Sequence, residues 1–290
     1  MSNAWPESFC GLFCLDVQGL LSLYFFFKKG AFCQLSMLVR WSKLDNWGDA
    51  LNPVLIECVS GESPIWVKKP RRRQITYKEP VYVVIGSIIA KASDKNAVIW
   101  GAGFKSANEM VRWRPKKVCA VRGPLSRSKL HEQGIECPDI YGDPALLYPI
   151  FYKPVINKKY ELGIIPHYVD KNNDVLDKLR VIPEVRIIDV TIGINRFIDE
   201  ICSCEKIASS SLHGIIAADA YEIPSIWLKF SDKVVGSGFK FMDYFLSVKR
   251  PYQEPLVMDE YTTLNDILKA FSPYEIAIDL DRLFDACPFR

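Results

Sequence analysis

Between residues 206 and 228 the chain spells out one folding unit that leaves little choice of architecture. Lys206-Ile207-Ala208 reads as a strand, Ser209-Ser210-Ser211 as a turn, and residues 215–221 carry apolar side chains at helical spacing. A second strand follows in Pro224-Ser225-Ile226-Trp227-Leu228. Strand, serine turn, helix and strand make a βαβ unit with a ligand site at the helix start. N–H groups of a first helical turn lack intrahelical partners and sit at the positive end of the helix dipole, so that end attracts phosphate or carboxylate. His213 stands where such an anion arrives. The plainer alternative is a serine cap with an incidental histidine.

The same alternation runs along the whole chain. Strands are expected over 35–41, 81–85, 97–100 and 117–121, which are rich in Val, Ile and aromatics. Helical periodicity covers 49–59 and 125–133, with Gly134 as a stop. Residues 148–159 carry two prolines and three lysines and read as a linker. Beyond it come strands over 161–166, 185–190, 206–208 and 225–228, and helices over 172–179, 196–202, 215–221 and 240–247. Residues 262–286 have helical spacing and are expected to pack back across the domain boundary. No internal repeat is visible. The reading is an extension over 1–33, an N-terminal Rossmann-like domain over 34–150, and a C-terminal Rossmann-like domain over 151–290 ending in helices. Such α/β alternation implies parallel sheets with helices on both faces. Ligands then bind beyond the carboxyl ends of the strands, here in a cleft between the two domains.

Composition narrows the function. The chain has 290 residues, 49% of them hydrophobic, enough for sizeable cores, and a net charge of only +3, which argues against nucleic acid as a partner. The run Lys68-Lys69-Pro70-Arg71-Arg72-Arg73 is either a solvated loop or a peripheral contact with anionic lipid or an acidic polymer. Nine cysteines show no zinc-site spacing, which fits a reducing compartment. Residues 9–27 are largely apolar, but Asp16 and Gln18 interrupt them and no Lys or Arg precedes them, so neither a secretory signal nor a membrane span fits. The expectation is a cytoplasmic protein, with the inner face of the membrane as an alternative. No H-E-x-x-H, paired aspartates or Walker loop occurs, so no metal is expected. Gly101-Ala102-Gly103 reads as a tight turn permitting close backbone approach.

Two more segments place polar residues at strand ends. Asn46-Trp47-Gly48-Asp49-Ala50-Leu51-Asn52 leads from a strand into a helix, and Val121-Arg122-Gly123-Pro124 does the same with proline suited to a first helical turn. Together the chain resembles the polysaccharide pyruvyl transferase family. The matching pieces, in family order, are N-W-G-D at 46–49, G-S-I-I at 86–89, W-G-A-G-F at 100–104, V-R-G-P-L-S at 121–126, Y-G-D-P-A-L-L at 141–147, I-P-H-Y at 165–168 and S-S-L-H-G at 210–214. They span roughly residues 35–250. The resemblance implies a two-domain arrangement similar to GT-B glycosyltransferases. It also implies transfer of pyruvate from phosphoenolpyruvate to two hydroxyls of a sugar, forming a cyclic ketal and releasing phosphate. Phosphoenolpyruvate is then a co-substrate and no cofactor is needed. The acceptor is a surface polysaccharide or its precursor, free or lipid-linked.

A donor carrying phosphate and carboxylate calls for cations and oriented N–H groups. Arg122, Lys233, His213 and the helix start at Ser211 are the candidates. Arginine grips a carboxylate or phosphate with a planar fork, and Lys233 offers a point charge from a polar loop. His213 suits either an anion anchor or the acid that protonates the methylene carbon, because imidazole titrates near neutrality. Asp49 and Asp143 are candidate bases for the attacking hydroxyl, with Asp49 preferred; helix capping is the plain alternative for both. Asn46 and Asn52 either hydrogen-bond sugar hydroxyls or hold their turn together. His167 closes a strand and faces the expected cleft, whereas His131 reads as a helix-surface residue. Two rivals stand beside this reading: a glycosyltransferase using a nucleotide sugar, and a non-catalytic glycan-binding protein on the same scaffold.

Overall fold

Two five-stranded parallel sheets carry the fold, and both are wound in the same order. A computed structural model gives the structure and describes residues 37–44, 46–68, 77–92, 94–236 and 238–290. The extension over 1–33 and the basic run after Lys68 lie outside the described residues. The first sheet contains β1 (Leu38–Val39), β2 (Ile65–Trp66), β3 (Val81–Val83), β4 (Ala97–Trp100) and β5 (Lys117–Ala120), in the order β2-β1-β3-β4-β5. The second contains β6 (Tyr160–Ile165), β7 (Val185–Ile187), β8 (Cys204–Ser209), β9 (Ser225–Lys229) and β10 (Leu256–Val257), in the order β10-β9-β8-β6-β7. Read from its β7 edge, the second sheet repeats the 2-1-3-4-5 winding of the first. This is a doubly wound order whose chain direction switches beside its first strand, and the crevice at that switch is where such sheets bind ligands. The repeat is one of topology and leaves no mark on the sequence.

The helices in chain order are α1 (Trp47–Ser60), α2 (Ile89–Ala92), α3 (Pro124–Glu132), α4 (Val175–Arg180), α5 (Ile194–Cys202), α6 (Leu212–Ala220), α7 (Phe239–Ser247), α8 (Leu264–Lys269) and α9 (Leu280–Asp285). Among the described residues no helix is long and apolar enough to cross a membrane. Helix α1 shows how local sequence sets the ends. Asn46 is its N-cap, with the side chain accepting from Asp49 N, and Gly61 closes it at φ 74° with its N–H on Glu57 O. The face bearing Leu51, Leu55, Ile56 and Val59 is buried.

The expected strands and helices are present, with shifted ends. Helices α1, α5 and α6 begin two or three residues before their apolar periodicity does; Asn46 caps the first, whereas Gly193 and Ser211 make no side-chain capping bond at the other two. The two-residue edge strands β2 and β10 and the short α2 are too brief for a pattern to show. The expected linker over 148–159 opens inside structure: Pro144–Ile150 forms a 3-10 helix. Its Tyr148 is buried and donates from its hydroxyl to Asn195 Oδ1 at 2.6 Å. Trp47 joins the same contact, with its ring centroid 5.4 Å from that of Phe197 and its Nε1 donating to Ile194 O at 3.2 Å. One apolar core therefore runs from α1 through the 3-10 helix into α5 and α6. The C-terminal tail packs back as expected: Trp100 Nε1 donates to Leu283 O at 2.9 Å, and Phe289 packs edge-on against Tyr82 and Trp100. The described residues form one compact unit.

Candidate functional site

Both sheets present the carboxyl ends of their strands to a cavity of about 550 Å³. The polar wall residues follow strand ends. Asn46 and Asp49 come after β1, Ser87 after β3, Lys105 after β4, His167 and Tyr168 after β6, Ser211 and His213 after β8, and Lys233 and Lys240 after β9. The two switch points, β1 beside β3 and β6 beside β8, thus supply the polar end of the wall. Trp41, Leu44, Trp66, Val67 and Ile88 line the cavity too and make it aromatic and apolar elsewhere.

The tryptophan, glycine and aspartate at 47–49 do three separate jobs within one helical turn. Trp47 anchors the start of α1 against α5. Gly48 leaves room for the His213 ring: a Cβ there would lie 2.1 Å from Nδ1 and 2.3 Å from Cε1. Asp49 turns to the cavity, where burial pushes its carboxyl up to about 6 against the pull of His213, Asn46 and Lys240. Asn46 Oδ1 accepts from Asp49 N at 3.1 Å while its Nδ2 donates to Asp49 Oδ2.

The serine run is divided in the same way. Ser209 Oγ accepts from Ser211 N at 3.0 Å, and Ser210 Oγ accepts from His167 N at 2.8 Å, so these two fasten the turn to the β6 loop. Ser211 is the N-cap residue of α6, makes no side-chain capping bond, and lines the cavity. His213 directs Nε2 at Asp143 Oδ2 across 3.8 Å, and neither atom has any other partner. Asp143 itself is fully buried, with Oδ1 accepting from Ala145 N at 3.1 Å at the head of the 3-10 helix. It stands behind the imidazole and off the wall.

His167 and Lys240 set the electrostatics of the second half. Burial, helped by Lys240, Lys105 and His213, holds His167 down at about 3, so it is neutral at physiological pH. Val169 N donates to its Nδ1 at 3.4 Å, which leaves Nε2 as the protonated nitrogen. Burial beside Arg122 and Lys105 lowers Lys240 to about 8, still a cation at neutrality. Lys233 is exposed on the rim, in a loop pinned by Ser231 Oγ, which accepts from Lys233 N at 3.1 Å and donates to Asp170 Oδ1 at 2.5 Å.

Three expected contacts are placed off the wall: Asp143, which stands behind His213, and Arg122 and Asn52. Arg122 is only 1% exposed and off the wall. Its Nε and Nη2 lie 3.1 and 3.0 Å from Asp243 Oδ2, Nη1 donates to Ser87 Oγ at 2.6 Å, and Nη2 donates to Phe104 O at 2.7 Å. Asp243, from α7, also accepts from Ser126 N at 2.8 Å and Ser126 Oγ at 2.6 Å, so its carboxylate caps α3. The V-R-G-P-L-S segment is a socket for that aspartate, and Arg122 reaches the cavity only through Ser87. Asn52 is fully buried as well. Its Oδ1 accepts from Ile85 N at 3.0 Å and its Nδ2 donates to Ile85 O at 3.3 Å, clamping α1 to the end of β3. A hydroxyl finds no free edge on it. The tight turn at Gly101, by contrast, is as expected: φ is 82° and a Cβ would lie 2.1 Å from Pro144 Cδ. Lys240, Lys105 and Ser87 were not singled out from sequence, because a lysine at a helix start or loop carries no pattern of its own.

The family model for polysaccharide pyruvyl transferase matches residues 52–232. The chain is 35% identical over 171 residues to an uncharacterized protein of Acanthamoeba polyphaga mimivirus, covering 57% of this chain and 59% of that one. It is 26% identical over 214 residues to the succinoglycan biosynthesis protein ExoV of Rhizobium meliloti (strain 1021), covering 70% of this chain and 61% of ExoV. The chain thus spans about three-fifths of the length of the curated relatives it matches.

Proposed function

The chain belongs to the polysaccharide pyruvyl transferase family, and from that premise we propose that it moves pyruvate from phosphoenolpyruvate onto two hydroxyls of a saccharide, forming a ketal and releasing phosphate. One observation carries the reading: the imidazoles of His167 and His213, the Asp49 carboxyl raised by burial to about 6, and Lys105, Lys233 and Lys240 line one cavity at the N-terminus of a helix. A small molecule with two anionic groups is what such an end holds.

In this mechanism Lys240, Lys105, Lys233 and the α6 N-terminus hold phosphate and carboxylate, and neutral His167 donates from Nε2. His213, facing Asp143, gives a proton to the methylene carbon of the donor. The adjacent carbon becomes oxocarbenium-like, and a sugar hydroxyl attacks it while Asp49 takes the hydroxyl proton. Its raised pKa suits a base working near neutrality. Phosphate then departs, and the second hydroxyl closes the ketal. Of the two hydroxyl protons, one ends on the new methyl group by way of the enzyme and one leaves with phosphate. The acceptor lies over Trp41 and Trp66, on the 34–150 side of a GT-B-like cleft, and the donor lies on the 151–290 side. The acceptor is a surface polysaccharide precursor reached from the cytoplasm, and no cofactor takes part.

The test is phosphate release from phosphoenolpyruvate against galactosides, glucosides and N-acetylmannosamine glycans, with His213→Gln as control. Phosphoenolpyruvate should raise the thermal midpoint by mass action. Stabilisation by a nucleotide sugar instead would favour a glycosyltransferase. Acceptor binding without phosphate release under any donor would favour a glycan-binding protein.

A further inference from the structure

The loop between β4 and β5 concentrates positive charge outside the cavity. From Met110 to His131 the sequence holds no Asp or Glu, and it begins Met110-Val111-Arg112-Trp113-Arg114-Pro115-Lys116-Lys117. Arg112, Arg114, Lys116 and Lys117 are all exposed. The ion pairs among the described residues include none of them. Among these cations Met110 is 68% and Trp113 is 44% exposed. Lys95 Nζ and Arg112 Cζ stand 5.9 and 5.8 Å from the Trp113 ring centroid.

The loop is held in place. Val111 N donates to Gln133 Oε1 at 2.8 Å, Lys116 N to Ala97 O at 2.8 Å, and Lys105 N to Glu109 Oε2 at 2.7 Å. Beside it lies a second cavity of about 780 Å³, whose wall includes Arg114, Lys116, Lys117 and His131, with Glu136 as its acid. Exposed arginines and lysines are ordinary surface, and here a tryptophan and a methionine are displayed together among them on a pinned loop. Tryptophan favours the headgroup level of a bilayer, and clustered cations are drawn to an anionic leaflet. An acidic glycan would satisfy the charges and offer Met110 no apolar layer.

We propose that residues 110–117 dock the protein on a bilayer bearing anionic phospholipids. Met110 and Trp113 enter the boundary between headgroups and acyl chains, and Arg114, Lys116 and Lys117 hold headgroup phosphates at the neighbouring cavity. The proposal is independent of the chemistry assigned to the first cavity.

The experiment is sedimentation of the full chain with vesicles of phosphatidylcholine alone or with about one-third phosphatidylglycerol. Binding is expected only to the anionic vesicles and should fall with added salt. The triple variant Arg112→Gln, Arg114→Gln, Lys116→Gln should weaken it roughly a hundredfold, at about fivefold per cation. Trp113→Ala should weaken it at unchanged charge. All four side chains are exposed, so an unchanged thermal midpoint is expected and confirms folding. Neutralising Lys68, Lys69, Arg71, Arg72 and Arg73 serves as the comparison and should leave most of the binding in place. The proposal is overturned by equal binding to both vesicles, by no binding, or by binding that survives the loop variants and disappears with the 68–73 variant.

Discussion

Gly48 and His213 are in contact face to face: a Cβ on Gly48 would stand 2.1 Å from His213 Nδ1. Residues 165 positions apart in the chain are thereby matched in shape, and the imidazole keeps its place only while position 48 has no side chain. Gly48→Ala should therefore displace the ring while improving helix propensity. Misplacing a catalytic group by about 1 Å costs on the order of a hundredfold in rate. We expect a drop of that size in phosphate release with little change in the thermal midpoint. Near-normal turnover would remove His213 from the mechanism.

Asp49 links activity and stability with opposite signs. Its folded pKa, about 6, lies above the 3.8 of a free carboxyl. Between those values the unfolded chain has released a proton that the native state retains, so stability falls as pH rises from about 4 to 6. The ionised group costs the native state about 3 kcal/mol at pH 7. Asp49→Asn should unfold later at pH 7 than the parent and lose this pH dependence. Its kcat/KM should lose the rise through pH 6 that an ionised base produces, which a pH–rate profile reads directly.

Lys240 sets an upper limit. With its pKa lowered to about 8, it loses its charge as pH rises through that value. Phosphoenolpyruvate affinity should weaken above pH 8. In Lys240→Gln it should be about tenfold weaker at pH 7, with that part of the pH dependence gone. Isothermal titration at several pH values separates the two effects.

Arg122 and Asp243 predict a folding defect. Their pair is buried, with 1% and 0% of the side chains exposed. Removing the guanidinium leaves an unpaired buried carboxylate, so Arg122→Ala should lose about 3–5 kcal/mol of stability in denaturant titrations. A stable Arg122→Ala protein with a raised KM for phosphoenolpyruvate would instead put Arg122 on the donor.

Trp66 tests the other end of the cavity. Trp66→Ala should raise the acceptor KM several-fold and leave phosphoenolpyruvate affinity unchanged. Equal weakening of both ligands would refute an aromatic acceptor platform.

The order of strands and helices and the position of His213, Asp49, His167 and Lys233 beyond strand ends, on the cavity wall, were legible because each rests on local physics. Periodicity marks which face of an element is buried, and Asn46 and Gly61 mark helix ends through their own backbone neighbours. Sequence alone determined that this chain is an α/β protein with polar turns at its strand ends. Tertiary structure alone decided who faces whom. Arg122 and Asn52 sit in motifs as conspicuous as that of His213, yet both are buried and consumed, one by Asp243 from a helix more than a hundred residues away, the other by Ile85. Lys240 carries no motif and lies on the wall. A side chain's chemistry is written in its own identity, but its availability depends on whether a partner arrives from elsewhere in the chain, and that is settled only when the two sheets pack.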